Sequence, residues 1–255
     1  MTTSPIHLSH PKPLVPRRLV IVFSLCLFFV VLYAALLTVM RQQSLYVHIT
    51  DPVQRQENAR ILNYLNGPLF ASNTLDFLTP SEQLHMSDVK RLFDIAFIIY
   101  LVCLGIIIGT VIVFFSQRLW QRFDELLARS LRAVGWVTIG VGVLLTLSAL
   151  LDFTKFWVLF HVFFFPQGNW MFSADSILIT LYPESFFSDL VLHWLVFVSA
   201  FGVVALIVSF FMLHMRVAEH AFDAFKEGPQ AQQMMHYAHR KERKAEKGDS
   251  PKRKR

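Results

Sequence analysis

Charge is scarce in this sequence: 16% of its 255 residues are Asp, Glu, Lys or Arg, and long stretches have none. A soluble domain carries about 25%, so a fold wetted on every side is excluded. Cysteine is scarcer still. Cys26 and Cys103 each sit inside an apolar run, which excludes a disulfide framework and leaves the redox compartment unreadable. Leu25 also stands where a lipid-attachment cysteine needs a small residue. No two histidines are four apart, as a zinc-binding helix would place them. The basic C-terminal stretch has Tyr237 as its one aromatic residue, too little stacking surface for nucleic-acid binding.

Apolar residues are what the chain has in excess, at 54%. They gather into four runs, roughly 19–40, 95–116, 133–151 and 190–215, each near the ~20 residues needed to cross a bilayer. The expected fold is therefore all-α: a polytopic bundle of four transmembrane helices, with interfacial or re-entrant helices in two outer loops, 41–94 and 152–189. A fifth apolar stretch, Phe153 to Phe165, is too short to span and carries Lys155 and His161, so it reads as interfacial or re-entrant. The first run is too long for a cleaved export signal and lacks a small-x-small site, which makes it an uncleaved anchor.

Basic residues set the expected orientation, because cytoplasmic loops retain them. Lys12, Arg17 and Arg18 precede the first run, Arg118, Arg122, Arg129 and Arg132 lie between the second and third, and eleven basic residues follow the fourth. Both termini are thus expected in the cytoplasm, with both long loops outside. Residues 1–225 form the membrane domain. Residues 226–255, rich in Lys and Arg and poor in apolar residues, read as a disordered cytoplasmic tail able to contact anionic lipid head groups.

Two stretches carry chemistry. Thr79-Pro80-Ser81-Glu82 has the order of a capped helix start, with Thr79 as cap, Pro80 in the first turn and Glu82 closing a capping box. A helix beginning there puts Ser81, His85 and Asp88 on one face with Glu82 beside them, and Lys90 and Arg91 at the water boundary. The second stretch runs from Phe160-His161 through Phe163, Phe164, Phe165 and Pro166 to Asn169 and Trp170, an aromatic layer closed by a turn. Asp175, then Tyr182-Pro183 and Phe186-Phe187, continue this lipid-facing loop. His193, in the fourth run, has no pattern around it and reads as packing.

His85-Met86-Ser87-Asp88-Val89-Lys90 and Phe160-His161-x-x-Phe164-Phe165, followed by Trp170, resemble the two signature stretches of the bacterial lipoprotein intramolecular transacylases. Asp175, Tyr182-Pro183 and Phe186-Phe187 extend the resemblance, which covers most of the chain; the basic tail has no counterpart in the family pattern. The resemblance implies an acyltransferase of the bacterial cytoplasmic membrane, acting on diacylglyceryl-modified lipoproteins in contact with membrane lipid. It would move the sn-2 ester-linked acyl chain of the lipidated cysteine to that cysteine's own α-amino group, giving a lyso-form lipoprotein, with no cofactor. His85 and His161 would be the catalytic pair. Asp88 or Glu82 would hold His85 in one tautomer, and Lys90, Asn169 and Tyr182 would be oxyanion or head-group donors, with Trp170 and Asp175 supporting. A histidine could act as base or as nucleophile through an acyl-imidazole. The residues alone leave three other readings open: a different lipid-acting enzyme, a non-catalytic protein whose aromatic loops hold a lipid or partner helix, and a metal site drawn from His85, His161, Asp88 and Asp175.

Overall fold

A computed structural model describes residues 15–72 and 75–228, and beyond them positions 233, 234, 236, 237, 240 and 243. In chain order the helices are α1 (Arg17–Met40), α2 (Pro52–Asn66), α3 (Pro80–Ser116), α4 (Trp120–Leu151), α5 (Phe153–Phe164), α6 (Ile177–Leu181) and α7 (Glu184–Glu227). A short 3-10 turn, Gln43–Tyr46, follows α1, and no strand occurs among the described residues.

Four of these helices, α1, α3, α4 and α7, are long and apolar enough to cross a membrane. Their large apolar side chains point outward along much of their length, among them Ile21, Val102, Ile112, Leu144 and Val204. Surface of that kind is stable against lipid and not against water. The fifth apolar stretch is the 12-residue α5, too short to span.

Each spanning helix is longer than its apolar run. The 37 residues of α3 make about 56 Å of helix where the hydrocarbon core takes about 30 Å. The turns from Pro80 to Asp94, ahead of the apolar run, thus project beyond the core and carry His85 and Asp88. At the opposite end, α3 and α4 are separated by residues 117–119 alone, with Arg118 at φ 54° in the turn. Arg122, Arg129 and Arg132 therefore lie within α4, not in a loop. Arg129 ties that end together, donating to the Val15 carbonyl and pairing with Glu125, both at 3.2 Å.

Residues up to Ser209 form one compact unit and those from Phe210 a second. In the first, α1 packs on α3 and α4. A cluster of Val15, Val20, Phe23, Phe114 and Leu126 fills the end near the α3–α4 turn. At the projecting end a separate core joins Ile49, Ile61, Tyr64, Leu75, Leu78, Met86, Leu178 and Leu181. That second core clamps α2 and α6 onto the first turns of α3, so the histidine-bearing end of the bundle has rigid packing of its own. Within the membrane, α4 meets α7 through small residues: a Cβ on Gly135 would lie 2.9 Å from the Gly202 carbonyl, and one on Gly142 would lie 2.7 Å from Ser199 Oγ. Gly105, Gly109 and Gly140 have no neighbour within 4 Å of such a Cβ. Cys26 of α1 and Cys103 of α3 are buried free thiols in mutual contact. In the second unit α7 continues, with the Phe210 ring edge-on to Phe211 and stacked on His214. Of the basic tail expected over 226–255, positions 226–228, 233, 234, 236, 237, 240 and 243 are described and the rest lie outside the described residues.

Candidate active site

The capping box at the start of α3 forms as the sequence predicts: the Thr79 backbone N–H donates to Glu82 Oε2 at 2.8 Å, and the Glu82 N–H donates to Thr79 Oγ1 at 3.4 Å. Glu82 is buried and its second oxygen accepts from the Leu178 N–H at 3.1 Å, so it locks α6 to α3. His85 and Asp88 follow one and two turns on, whereas Ser81, expected on the same face, is exposed.

His161 arrives from α5, whose start is capped by the Asp152 side chain accepting from the Lys155 N–H. His161 Nδ1 lies 2.9 Å from the Trp157 carbonyl one turn back. A carbonyl only accepts, so Nδ1 carries the proton and Nε2 is left with a free lone pair. The two imidazoles lie stacked, ring centres 6.1 Å apart and planes 29° from parallel. They are almost completely enclosed, with 8% and 5% of His85 and His161 exposed. Phe165 and Phe172 stand edge-on to His85 at 4.9 and 5.6 Å, while Trp157 and Trp170 flank His161 at 4.1 and 4.7 Å.

Burial sets the protonation of the pair. Desolvation first, and then the proximity of His161, push His85 from the usual 6.5 down to about 4, against a smaller upward pull from Asp88 and Asn169. Desolvation likewise lowers His161, opposed by its bond to the Trp157 carbonyl. Both rings are neutral at pH 7, and the enclosure disfavours two charges side by side.

After α5 the chain reverses at Phe165 to Gly168, where the Gly168 N–H donates to the Phe165 carbonyl at 3.1 Å and Gly168 adopts φ 77°. This left-handed residue turns Asn169 and Trp170 back onto the histidines. Asp88 Oδ2 then accepts from Asn169 Nδ2 and from Gln167 Nε2, both at 2.7 Å.

The residues expected to support the pair are thus divided. Asp88, Asn169 and Trp170 join the histidines. Neither Glu82 nor Asp88 hydrogen-bonds His85; Glu82 is spent on the helix cap and on Leu178. Lys90, expected at the water boundary and as an oxyanion or head-group donor, is 2% exposed and paired with Asp94 at 2.6 Å, with the Gly67 carbonyl at 3.2 Å. It serves packing, because an ammonium so enclosed requires its carboxylate. Tyr182 is half-buried against Phe186 and donates to Asn58 Oδ1 at 2.6 Å; desolvation raises its pKa, and it bonds to neither His85 nor His161. Asp175 is exposed and bonded to Ser173. His193 is exposed and bonded to the Asp189 carbonyl one turn back. Among the described residues no group of three His, Cys, Asp or Glu side chains could hold a metal ion.

Sequence reasoning missed Gln167, Trp157 and Phe172. The position of Trp157 four residues before His161 on one helix could have signalled its contact; Gln167 and Phe172 carry no such signal.

Comparisons with known proteins agree with this architecture. The chain matches a crystallographic structure of the membrane-integral lipoprotein intramolecular transacylase Lit from Bacillus cereus with a TM-score of 0.65 and 18% identity, covering 78% of this chain and 96% of that one. Two further structures of the Bacillus cereus protein, in which a histidine is replaced by arginine or by alanine, match with TM-scores of 0.59 and 0.60, again at 18% identity, covering 80% and 78% of this chain and 94% of theirs. No curated protein sequence matches significantly. At that identity the structural likeness establishes the fold. The family model of the lipoprotein intramolecular transacylase Lit matches residues 18–187, which hold both histidines and everything bonded to them, and on that match the chain belongs to the lipoprotein intramolecular transacylase family of acyltransferases.

Proposed function

We propose that this protein transfers the sn-2 ester-linked acyl chain of a diacylglyceryl-cysteine lipoprotein to the α-amino group of the same cysteine, with His85 and His161 moving the proton. The observation that carries this reading is the stacked pair of buried, neutral imidazoles, one with its Nε2 freed by the Trp157 carbonyl. The amine nitrogen attacks the ester carbonyl carbon, a C–N bond forms, and the nitrogen gives up a proton as it does so. The C–O bond to glycerol sn-2 then breaks, and the departing alkoxide takes that proton. Nothing is consumed beyond the one substrate, and the products are an amide and an sn-2 hydroxyl. Because nucleophile and ester belong to one molecule, much of the entropy cost of bringing reactants together is already met.

The low proton affinity of His85 decides how the proton is handled. An α-amine with pKa near 8 is about one-tenth neutral at pH 7, a cost of about 1.4 kcal/mol. Passing its ammonium proton to an imidazole at about 4 would cost about four units, or ~5.5 kcal/mol. The amine therefore enters neutral, and an imidazole accepts a proton from it only once attack has acidified the nitrogen. The resulting imidazolium is a strong acid beside a strongly basic alkoxide, which suits leaving-group protonation. For the oxyanion, the Trp157 and Trp170 indole N–H groups flank His161 and neither has an acceptor among the described residues; they are better placed for that role than Lys90 and Tyr182, which are bonded elsewhere. The positive-inside pattern supports placing the histidine end on the outer side of the cytoplasmic membrane, where lipidated cysteines reside.

Expression in cells whose lipoproteins have free diacylglyceryl-cysteine termini, followed by mass spectrometry, tests the reaction. The expected product has an N-acyl group and one fewer ester at unchanged total acyl mass; a gain of acyl mass would show a separate lipid donor. His85→Ala and His161→Ala are each expected to abolish conversion, with membrane insertion retained. Full conversion by either variant would remove that histidine from the chemistry.

A further inference from the structure

His85 Nδ1 and Asn169 Oδ1 are both buried, and neither makes a hydrogen bond of good geometry. One is a potential donor and the other a pure acceptor, and the Asn169 side chain lies against the His85 ring. Which end of the Asn169 amide faces the ring is settled on its far side: a carboxylate only accepts, so the 2.7 Å contact to Asp88 Oδ2 must be made by Nδ2. Gln167 Nε2, on the same Asp88 oxygen, holds that carboxylate in place.

We propose that Asn169 is a positioning residue that links Asp88 to His85: Asp88 fixes the amide, and its Oδ1 takes the His85 Nδ1 proton in a hydrogen bond that leaves Nε2 free. The inference rests on the acid–base reading given above and adds to it how His85 is set. His85 then has the same tautomer that the Trp157 carbonyl imposes on His161, so both rings offer Nε2 to the reacting proton. A neutral amide between carboxylate and ring has a further consequence. Asp88 bonded directly to Nδ1 would stabilise the imidazolium and weaken it as the acid that protonates the alkoxide. Through Asn169 the ring is oriented while the charge stays one residue away. The groups that face His85 and titrate are His161 from α5 and Asp88 from its own helix; Glu82 is turned to Thr79 and Leu178.

The test uses the full chain in detergent, with the His85 tautomer read by nitrogen NMR, the signal being assigned by its loss in His85→Ala, and kcat and KM read on a diacylglyceryl lipopeptide. The native protein should show Nδ1–H on His85. Asn169→Ala removes the acceptor, and Asp88→Asn allows the amide to turn its NH2 toward the ring. Each should lose the single tautomer and lower kcat by about 10²-fold, the scale of a misplaced reacting group, with KM unchanged. Asp88→Asn carries the test even where Asn169→Ala fails to fold. Exchange of the two residues, Asp88→Asn with Asn169→Asp, puts the carboxylate on the ring: the Nδ1–H tautomer should return and the acid limb of kcat should move to higher pH. Retention of both tautomer and kcat in Asn169→Ala or Asp88→Asn would overturn the proposal, as would an exchanged pair whose acid limb stays where it was. The tautomer is read without turnover, so it stands apart from the reaction. Conversion by His85→Ala would sink the acid–base reading itself.

Discussion

The chemistry of each histidine is set by what surrounds it more than by its being histidine. An imidazole in water titrates near 6.5, but His85, enclosed by Phe165, Phe172 and the His161 ring, is pushed well below that. Protonation of the proposed base should lower kcat only as pH drops through the depressed value, while protonation of the substrate amine below about 8 raises KM. At saturating lipopeptide kcat is therefore expected to stay level from neutrality to well below 6.5, and an acid limb of kcat near 6.5 would show that the pair is not buried as described. Stability has the same sign. An unfolded chain takes up this proton from about 6.5 downward while the folded site resists it until about 4, so the native state loses stability across that window as pH falls. Trp157, whose carbonyl sets the His161 tautomer, acts through its backbone, and no substitution of its side chain removes that bond.

At the scale of elements, three local devices aim these side chains. The capping box starts α3 at Pro80, and the Asp152 cap starts α5. The turn at Gly168 brings Asn169 and Trp170 back to the rings. A Cβ at Gly168 meets nothing within 4 Å, so Gly168→Ala costs only the strained backbone, about 1 kcal/mol. It should lower activity at nearly unchanged thermal stability, as shown by kcat measured beside a melting curve; wild-type kcat would mean the turn does not set Asn169. The Lys90–Asp94 pair is a different kind of device. Asp94 accepts from the Phe70 N–H at 2.8 Å while holding the buried ammonium, and Phe70 has φ 54°. Asp94→Ala should destabilise by about 3–5 kcal/mol, because it strands a buried charge, and the paired change Lys90→Met with Asp94→Leu should cost less. Thermal unfolding in detergent compares them, and equal loss in both would mean the charge pair is not what holds the loop.

At the scale of the whole molecule, the two ends of the bundle differ in kind. One carries a packed core of α2, α6 and the first turns of α3 around the histidines, and the other carries Arg118, Arg122, Arg129 and Arg132 beside a three-residue turn. If the first end is outside, as proposed, a cysteine at exposed Asp175 should react with a membrane-impermeant thiol reagent in intact cells. One at exposed Asp124 should react only after permeabilisation. The native Cys26 and Cys103 are buried and give little background. The reverse pattern of labelling would invert the topology.

Sequence alone determined the four long apolar helices, the start of α3 and the brevity of α5, and it singled out the two histidines as candidates, because these depend on apolar run length, capping order and residues whose chemistry is visible one at a time. It misjudged Lys90 because a lysine just before an apolar run ordinarily reaches for water, and only the fold reveals the carboxylate one turn on and the Gly67 carbonyl that enclose it. Tyr182 was misjudged for the same reason, since its partner Asn58 lies on α2, far away in the chain. The tertiary structure alone decided that His85 and His161, 76 positions apart, stack at 6.1 Å, and that Asp88 meets Asn169 and Gln167 rather than His85. Such contacts depend on where α5 and its turn dock on α3. Docking is set by packing summed over many side chains, so no local pattern in the sequence contains it.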